Sequence, residues 1–253
     1  MSTDQHRQTV AVVGLGRFGR FWAGQLAAHY DVIGTSRRQV PDLPAGVRQV
    51  PLAEAMQARI VFLTVAISAM PPVLDQIAPH VREDATVVDT CSVKVFPVRE
   101  MEGRLPASVD IIATHPMFGP DSARERTDAL PIITWPIRDA HHRYHQLLET
   151  FRRLNFRVEE MLPDDHDREA AFSQGVTHLV GRILREMDLR PSNIATLGYT
   201  RLLQVMEQTC NDPVSLFQDL QQHNPYTREM RQRFADALMR TERLLAPGAD
   251  EES

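Results

Sequence analysis

The stretch from Thr9 to Arg38, TVAVVGLGRFGRFWAGQLAAHYDVIGTSRR, constrains the fold of this chain more than any other. Val10 to Val13 is a β-branched apolar run of the kind that forms a buried strand. It leads directly into Gly14-Leu15-Gly16-Arg17-Phe18-Gly19, a G-x-G-x-x-G turn. A helical pattern follows from Phe18 to His29, and a second short strand begins at Val32. Strand, glycine turn, helix and strand in this order form the context that the dinucleotide-binding fingerprint requires. Gly14 permits the tight turn, Gly16 lets backbone approach a pyrophosphate, and Gly19 lets helix and strand pack closely. The phosphates then meet unpaired N–H groups at a helix N-terminus. Leu15, Arg17 and Phe18 belong to the same loop, and Arg17 is placed to add a phosphate contact or to point to water.

The residues after the second strand choose the cofactor. NAD enzymes of this type usually carry Asp or Glu about 20 residues past the first glycine, where it accepts from the ribose hydroxyls. Here Thr35 stands instead, followed by Ser36-Arg37-Arg38. A carboxylate would repel a 2′-phosphate, whereas a hydroxyl and two guanidiniums bind one through charge-assisted hydrogen bonds. NADP is therefore expected in preference to NAD.

Further alternation of strand and helix implies a parallel sheet covered on both faces. Strands are expected at Thr9 to Val13, Val32 to Thr35, Ile60 to Val65, Thr86 to Asp89 and Asp110 to Ala113. Pro131 to Trp135 and Phe156 to Glu160 read as edge strands. Helices are expected between them, for example Pro72 to His80 and His141 to Leu154. After Pro163-Asp164-Asp165 only helical periodicity remains, broken at Arg190-Pro191, Asn211-Asp212-Pro213 and Asn224-Pro225. The apolar surface from Ala170 to Met187 is broad for a solvent-facing helix, which points to burial in an interface. The fold class is thus α/β, a Rossmann-type parallel sheet domain at 1–163 followed by an all-α substrate and dimerisation domain at 164–246. Residues 247–253 read as a disordered tail.

Composition excludes several classes. Lys and Arg total 28 against 33 Asp and Glu, a net charge of −5, so no nucleic-acid footprint is expected. The first residues, MSTDQHRQ, lack an apolar signal segment, and the apolar run near Ile60 to Ile67 is too short to span a bilayer. Cys91 and Cys210 are distant and unpatterned, as in reduced cytoplasmic proteins. His141, His142 and His145 have no thiol or carboxylate partners at metal-ligand spacing, so no metal site is expected.

In doubly wound sheets the ligand lies beyond the carboxyl ends of the strands. Three such ends carry polar residues: Ala66-Ile67-Ser68 after Val65, Thr90-Cys91-Ser92-Val93-Lys94 after Asp89, and His115-Pro116-Met117-Phe118-Gly119-Pro120 after Thr114. With the GLGRFG turn, Ser92-Val93-Lys94, the HPMFGP string, and Asp165-His166-Asp167 with His178 twelve residues past His166, the chain resembles the prephenate/arogenate dehydrogenase family. Tyr199-Thr200-Arg201 is a fifth, weaker match. The resemblance runs from about Val10 to Asp219 and implies a helical second domain that packs against its mate in a homodimer. It matches no fused chorismate mutase or regulatory domain.

The resemblance implies a small-molecule cyclohexadienol substrate with a ring carboxylate and a three-carbon side chain. Hydride leaves the hydroxyl-bearing carbon, the hydroxyl proton is accepted by the protein, and loss of CO2 yields the aromatic ring. His115 matches the family's catalytic histidine, and a neutral imidazole suits that proton. Ser92 matches the serine near the histidine and substrate hydroxyl, and is also a candidate helix N-cap. Lys94 lies near the cofactor or caps the next helix. Arg201 matches the arginine that pairs with a substrate carboxylate, since a planar fork donates two bonds. His178 matches a histidine facing the substrate side chain, Thr114 falls beside the substrate, and Val65 near the cofactor. His166 and Asp167 are expected to hold the interdomain corner. Asp121 would favour the amino-bearing arogenate by charge pairing, or cap a helix.

One departure stands out. Many family members carry histidine and proline just before the His178 position, where this chain has Gln174-Gly175-Val176-Thr177. The substrate therefore stays open between prephenate and arogenate. Two further readings are a paralogue acting on a modified prephenate in secondary metabolism and a non-catalytic NADP-binding redox sensor. Ser92, His115 and Arg201 together argue against the sensor.

Overall fold

The computed structural model of the chain describes residues 7–125 and 129–245. The expected tail at 247–253 lies outside the described residues. The chain divides into two compact units, Met1–His166 and Asp167–Ser253.

The first unit contains β1 (Thr9–Val13), β2 (Asp31–Thr35), β3 (Val47–Gln49), β4 (Ile60–Leu63), β5 (Thr86–Asp89), β6 (Asp110–Pro116), β7 (Leu130–Arg138) and β8 (Phe156–Glu160). Its helices are α1 (Arg17–Leu26), α2 (Leu52–Ala55), α3 (Met70–Ile77), α4 (Val95–Arg104), α5 (Pro120–Glu125) and α6 (Tyr144–Arg153), while α7 (Pro163–Ala170) crosses the unit boundary. The strands form one sheet in the order β3-β2-β1-β4-β5-β6-β7-β8. The chain steps outward from β1 to β3, then returns to pair β4 with the other side of β1. That reversal makes the crevice at the C-terminal ends of β1 and β4 the ligand position of a doubly wound sheet.

The central strands are continuous apolar runs because helices cover both faces. One core packs Met70, Leu74, Ile77 and Met101 of α3 and α4 against Val61, Leu63 and Val87. The other packs Trp22 and Leu26 of α1 and Leu147 and Phe151 of α6 against Val12, Phe62 and Ile112. Each large apolar side chain so buried contributes roughly 1.5–3 kcal/mol.

Three expectations are corrected. The sheet is mixed, because β6 and β7 run antiparallel. β7 is longer than the expected Pro131 to Trp135 and lies inside the sheet, while β8 forms the edge. β8 pairs with β7 from Leu130 to Thr134, so Pro131 lies opposite Arg157 while Pro136 faces no β8 partner. β4 stops at Leu63, before Val65, and β6 runs on past Ala113 to Pro116, so His115 is a strand residue.

The second unit is helical. A π-helical turn (Ala171–Gly175) is followed by α8 (Val176–Glu186), α9 (Leu197–Cys210), α10 (Val214–His223) and α11 (Thr227–Leu244). The π turn interrupts the continuous helix expected from Ala170 to Met187, and Gln221 Nε2 donates to the Gly175 carbonyl at 2.8 Å. α8 and α9 close at Gly181, where a Cβ would lie 1.9 Å from Thr209 Oγ1. Thr196 caps α9 by accepting from Tyr199 N at 3.2 Å. Ala170 and Ala171 are buried, whereas Phe172, Ile183 and Met187 remain exposed within this chain. No helix among the described residues is long and apolar enough to cross a membrane.

Candidate active site

The glycine turn joins β1 to α1 at the β1/β4 crevice. Gly14 has φ +101°, and a Cβ there would lie 2.8 Å from the Thr64 carbonyl and 2.9 Å from Val65 Cγ1. A Cβ on Gly19 would lie 1.8 Å from the Gly14 carbonyl, so only glycine lets α1 approach the turn. Gly16, by contrast, is the N-cap of α1, and a Cβ on it would meet nothing within 4 Å. No side chain caps this helix end and its first turn has no acidic residue. The result is an open cradle of helix N-terminal N–H groups, which fits a pyrophosphate. Thr64, which sequence reasoning passed over, steadies it by donating Oγ1 to the Gly14 carbonyl at 2.6 Å. The Leu15 side chain is buried and Phe18 stacks on Trp22 at 5.9 Å, so these two offer only backbone to a cofactor.

Arg17 forms an ion pair with Asp121, both about half exposed. The carboxylate expected to meet an amino-bearing substrate is therefore shared with a guanidinium of the glycine turn.

Past β2, Ser36 is half-buried and Arg37 and Arg38 are exposed. Gln49, at the end of β3, shapes this loop. It donates Nε2 to the Arg38 carbonyl at 2.8 Å and accepts from Val40 N at 2.9 Å. β3 is too short to show a period in the sequence, yet it sets the geometry of the arginine loop.

The other end of the site is built on β5 and β6. Asp89 and Lys94 form an ion pair at 0 % and 2 % exposure, and the Lys94 ammonium also donates to the Thr114 carbonyl. The Asp89 carboxylate accepts from Cys91 N at 2.9 Å and Thr114 N at 3.3 Å. Burial raises the Asp89 pKa, while Lys94 and these N–H groups act to lower it. The network ties the loop carrying Ser92 to β6 one residue before His115. Neither Asp89 nor this role of Lys94 was evident in the sequence. Lys94 sits at the N-cap position of α4, but no side chain there makes a capping bond. Ser92 does not cap the helix either: its Oγ is buried without a hydrogen-bond partner. Thr114 differs from expectation too. It is fully buried, and its hydroxyl donates to the Asp89 carbonyl, so it knits β6 to β5 instead of facing a substrate.

His115 is 3 % exposed, and its Nδ1 lies 2.8 Å from Nε2 of His166, which is equally buried. Burial first, then His166 and Lys94, hold the His115 pKa well below the ordinary histidine value of 6.5. The imidazole is therefore neutral at neutral pH and able to accept a proton. His166, expected at an interdomain corner, is the ring that engages the catalytic candidate.

In the second unit, His178 on α8 is buried, its Nδ1 has no hydrogen-bond partner, and burial lowers its pKa. Arg201 on α9 is exposed. The Gln174-Gly175 departure falls in the π-helical turn, a feature frequent at functional sites. His141 Nδ1 and N both lie 3.0 Å from Asp110 Oδ2, which ties the start of this segment to β6.

Residues 30–140 match the family model for the prephenate dehydrogenase nucleotide-binding domain, and residues 183–253 match that for the TYRAAT1-like C-terminal domain. The chain is 34 % identical over 237 residues to arogenate dehydrogenase 2, chloroplastic, of Arabidopsis thaliana, covering 88 % of this chain and 66 % of that protein. It is 31 % identical over 243 residues to arogenate dehydrogenase 1, chloroplastic, of the same plant, covering 91 % of this chain and 38 % of that one. It thus spans less than two thirds of the length of either relative. Its fold superposes on prephenate dehydrogenase from A. aeolicus, solved with hydroxyphenyl propionate and NAD+, with a TM-score of 0.76 at 19 % identity over 99 % of this chain and 94 % of that one. Synechocystis arogenate dehydrogenase superposes with a TM-score of 0.70 at 21 % identity, covering 94 % of this chain and 92 % of that one.

Proposed function

The chain belongs to the prephenate/arogenate dehydrogenase family, and from that premise we propose that it catalyses the NADP-dependent oxidative decarboxylation of prephenate or arogenate, in tyrosine biosynthesis. The observation that carries the reading is His115: a buried, neutral imidazole in β6, next to the Lys94 network that anchors the Ser92 loop. A nicotinamide cofactor held by the Gly14–Gly19 turn and the Ser36–Arg38 loop would supply the hydride acceptor. His115 accepts the substrate hydroxyl proton as the C–O bond gains carbonyl character, and Ser92 offers its unpartnered hydroxyl to the same oxygen. Arg201 pairs with a substrate carboxylate, and His178 offers its unpartnered Nδ1 to the side chain. The exposed apolar side chains of the helical unit, among them Met187, Leu197 and Leu202, favour a homodimer.

Turnover assays with prephenate, arogenate and an amino-substituted prephenate in parallel, each with NADP⁺ and NAD⁺, test the proposal. NADPH formation with either of the first two supports it. Turnover of the modified substrate alone favours the paralogue, and tight NADP⁺ binding without turnover favours the sensor.

Cofactor choice will follow the arginine loop. Arg37→Ala together with Arg38→Ala is expected to weaken NADP⁺ binding by roughly 2–4 kcal/mol, at about 1.5–3 per charged hydrogen bond less some compensation. NAD⁺ should be nearly unaffected. Titration of both cofactors checks this, and equal losses for the two contradict the assignment.

The pH profile follows from the lowered pKa of His115. The base acts only when neutral, and burial keeps it neutral below 6.5. The acid limb of kcat/KM is therefore expected below the ordinary histidine value. A profile that has already lost half its activity at pH 6.5 would contradict a buried His115 as the base.

A further inference from the structure

His115 and His166 meet ring nitrogen to ring nitrogen, Nδ1 to Nε2 at 2.8 Å, with ring planes 72° apart. Both rings are buried, at 3 % and 2 % exposure. Exactly which ring donates decides the chemistry, because a neutral imidazole has one N–H and one lone pair. If His166 donates, His115 must carry its own proton on Nε2. If His115 donates from Nδ1, its Nε2 keeps the lone pair. Among the described residues Nε2 of His115 has no hydrogen-bond partner. Only the second arrangement leaves Nε2 a lone pair with which to act as the base.

We propose that His166 is a positioning residue that accepts the Nδ1 proton of His115, fixing the tautomer whose Nε2 lone pair takes the substrate hydroxyl proton. This rests on the reading of His115 as the base. In the step, the substrate O–H bond breaks and an Nε2–H bond forms, while the C–H electron pair leaves as hydride to the nicotinamide. The Nδ1–H bond stays intact and remains directed at His166 Nε2. In many enzymes a carboxylate orients the base; here a second imidazole, His166, occupies that place.

Heteronuclear NMR of ring-labelled histidines reads the tautomer without turnover. In the unaltered protein we expect His115 protonated on Nδ1 and bare on Nε2; protonation on Nε2 overturns the proposal. His166→Leu removes the acceptor and is expected to lower kcat by about 10–100-fold, the range seen for orienting partners of metal-bound histidines. Substrate KM and NADP⁺ affinity should stay near those of the unaltered protein. His166→Gln, which can present an amide oxygen near the Nε2 position, should recover most of kcat. Undiminished kcat in His166→Leu, or a Gln variant that binds NADP⁺ normally yet is as slow as Leu, overturns the proposal. If His166→Leu fails to fold, the spectrum of the unaltered protein still decides. A wrong catalytic assignment shows separately, as a His115→Asn variant with undiminished kcat.

Discussion

His115→Asn will lower kcat by about 10²- to 10⁴-fold, the usual cost of removing a positioned general base. The amide keeps much of the ring's shape in the buried slot of β6 but cannot take the hydroxyl proton at neutral pH. NADP⁺ affinity should survive, because the cradle at Gly14 to Gly19 is made of backbone held by Thr64, not by His115. KM for the substrate should move little, since Arg201 is the proposed carboxylate anchor. Arg201→Ala is expected to show the opposite balance, with KM rising more than kcat falls. Steady-state kinetics on both variants separates the roles. If His115→Asn keeps a near-normal kcat and the acid limb of the pH profile, the proton goes elsewhere, and His178 becomes the first alternative.

Lys94→Met is expected to cost about 3–5 kcal/mol of folding stability, as breaking a buried ion pair generally does. The reason is burial: Asp89 and Lys94 are at 0 % and 2 % exposure. Removing the ammonium strands a carboxylate in the interior and takes a donor from the Thr114 carbonyl. An exposed lysine would lose about 0.5 kcal/mol or less. Replacing both partners by apolar residues, Asp89→Leu with Lys94→Met, should recover a substantial part of the loss, because no charge then remains buried. Denaturant unfolding of the two variants provides the measurement. A single-variant loss near that of a surface lysine would mean that the pair is hydrated in solution.

Much of the first unit could be read from the chain because its signals are local. A β-branched run before GLGRFG, and further apolar runs at Ile60, Thr86 and Asp110, specify strands that helices must cover. The prolines at 191, 213 and 225 mark helix limits for an equally local reason: each lacks the N–H that would continue a helix. What the sequence hid is of two kinds. β3 has three residues, too few for any period to show, and nothing local in the β7 sequence tells that β8 pairs outside it. The Gly175 carbonyl at the end of the π turn accepts from the Gln221 side chain, 46 residues beyond it.

The same division runs through the candidate site. Residue identity and spacing by themselves determined the cofactor cradle, the arginine loop and the HPMFGP string, because backbone turn geometry and charge act over a few residues. Only the tertiary structure decided the partners: Thr64 under Gly14, Gln49 on the arginine loop, Lys94 on Asp89 and Thr114, and His166 on His115. These pairs come from different strands and helices, and some are distant in sequence. Their chemistry arises from burial, which turns a lysine into half of an interior ion pair and makes the choice of histidine tautomer matter. Burial is a property of the packed sheet and its covering helices, and no short stretch of sequence carries it.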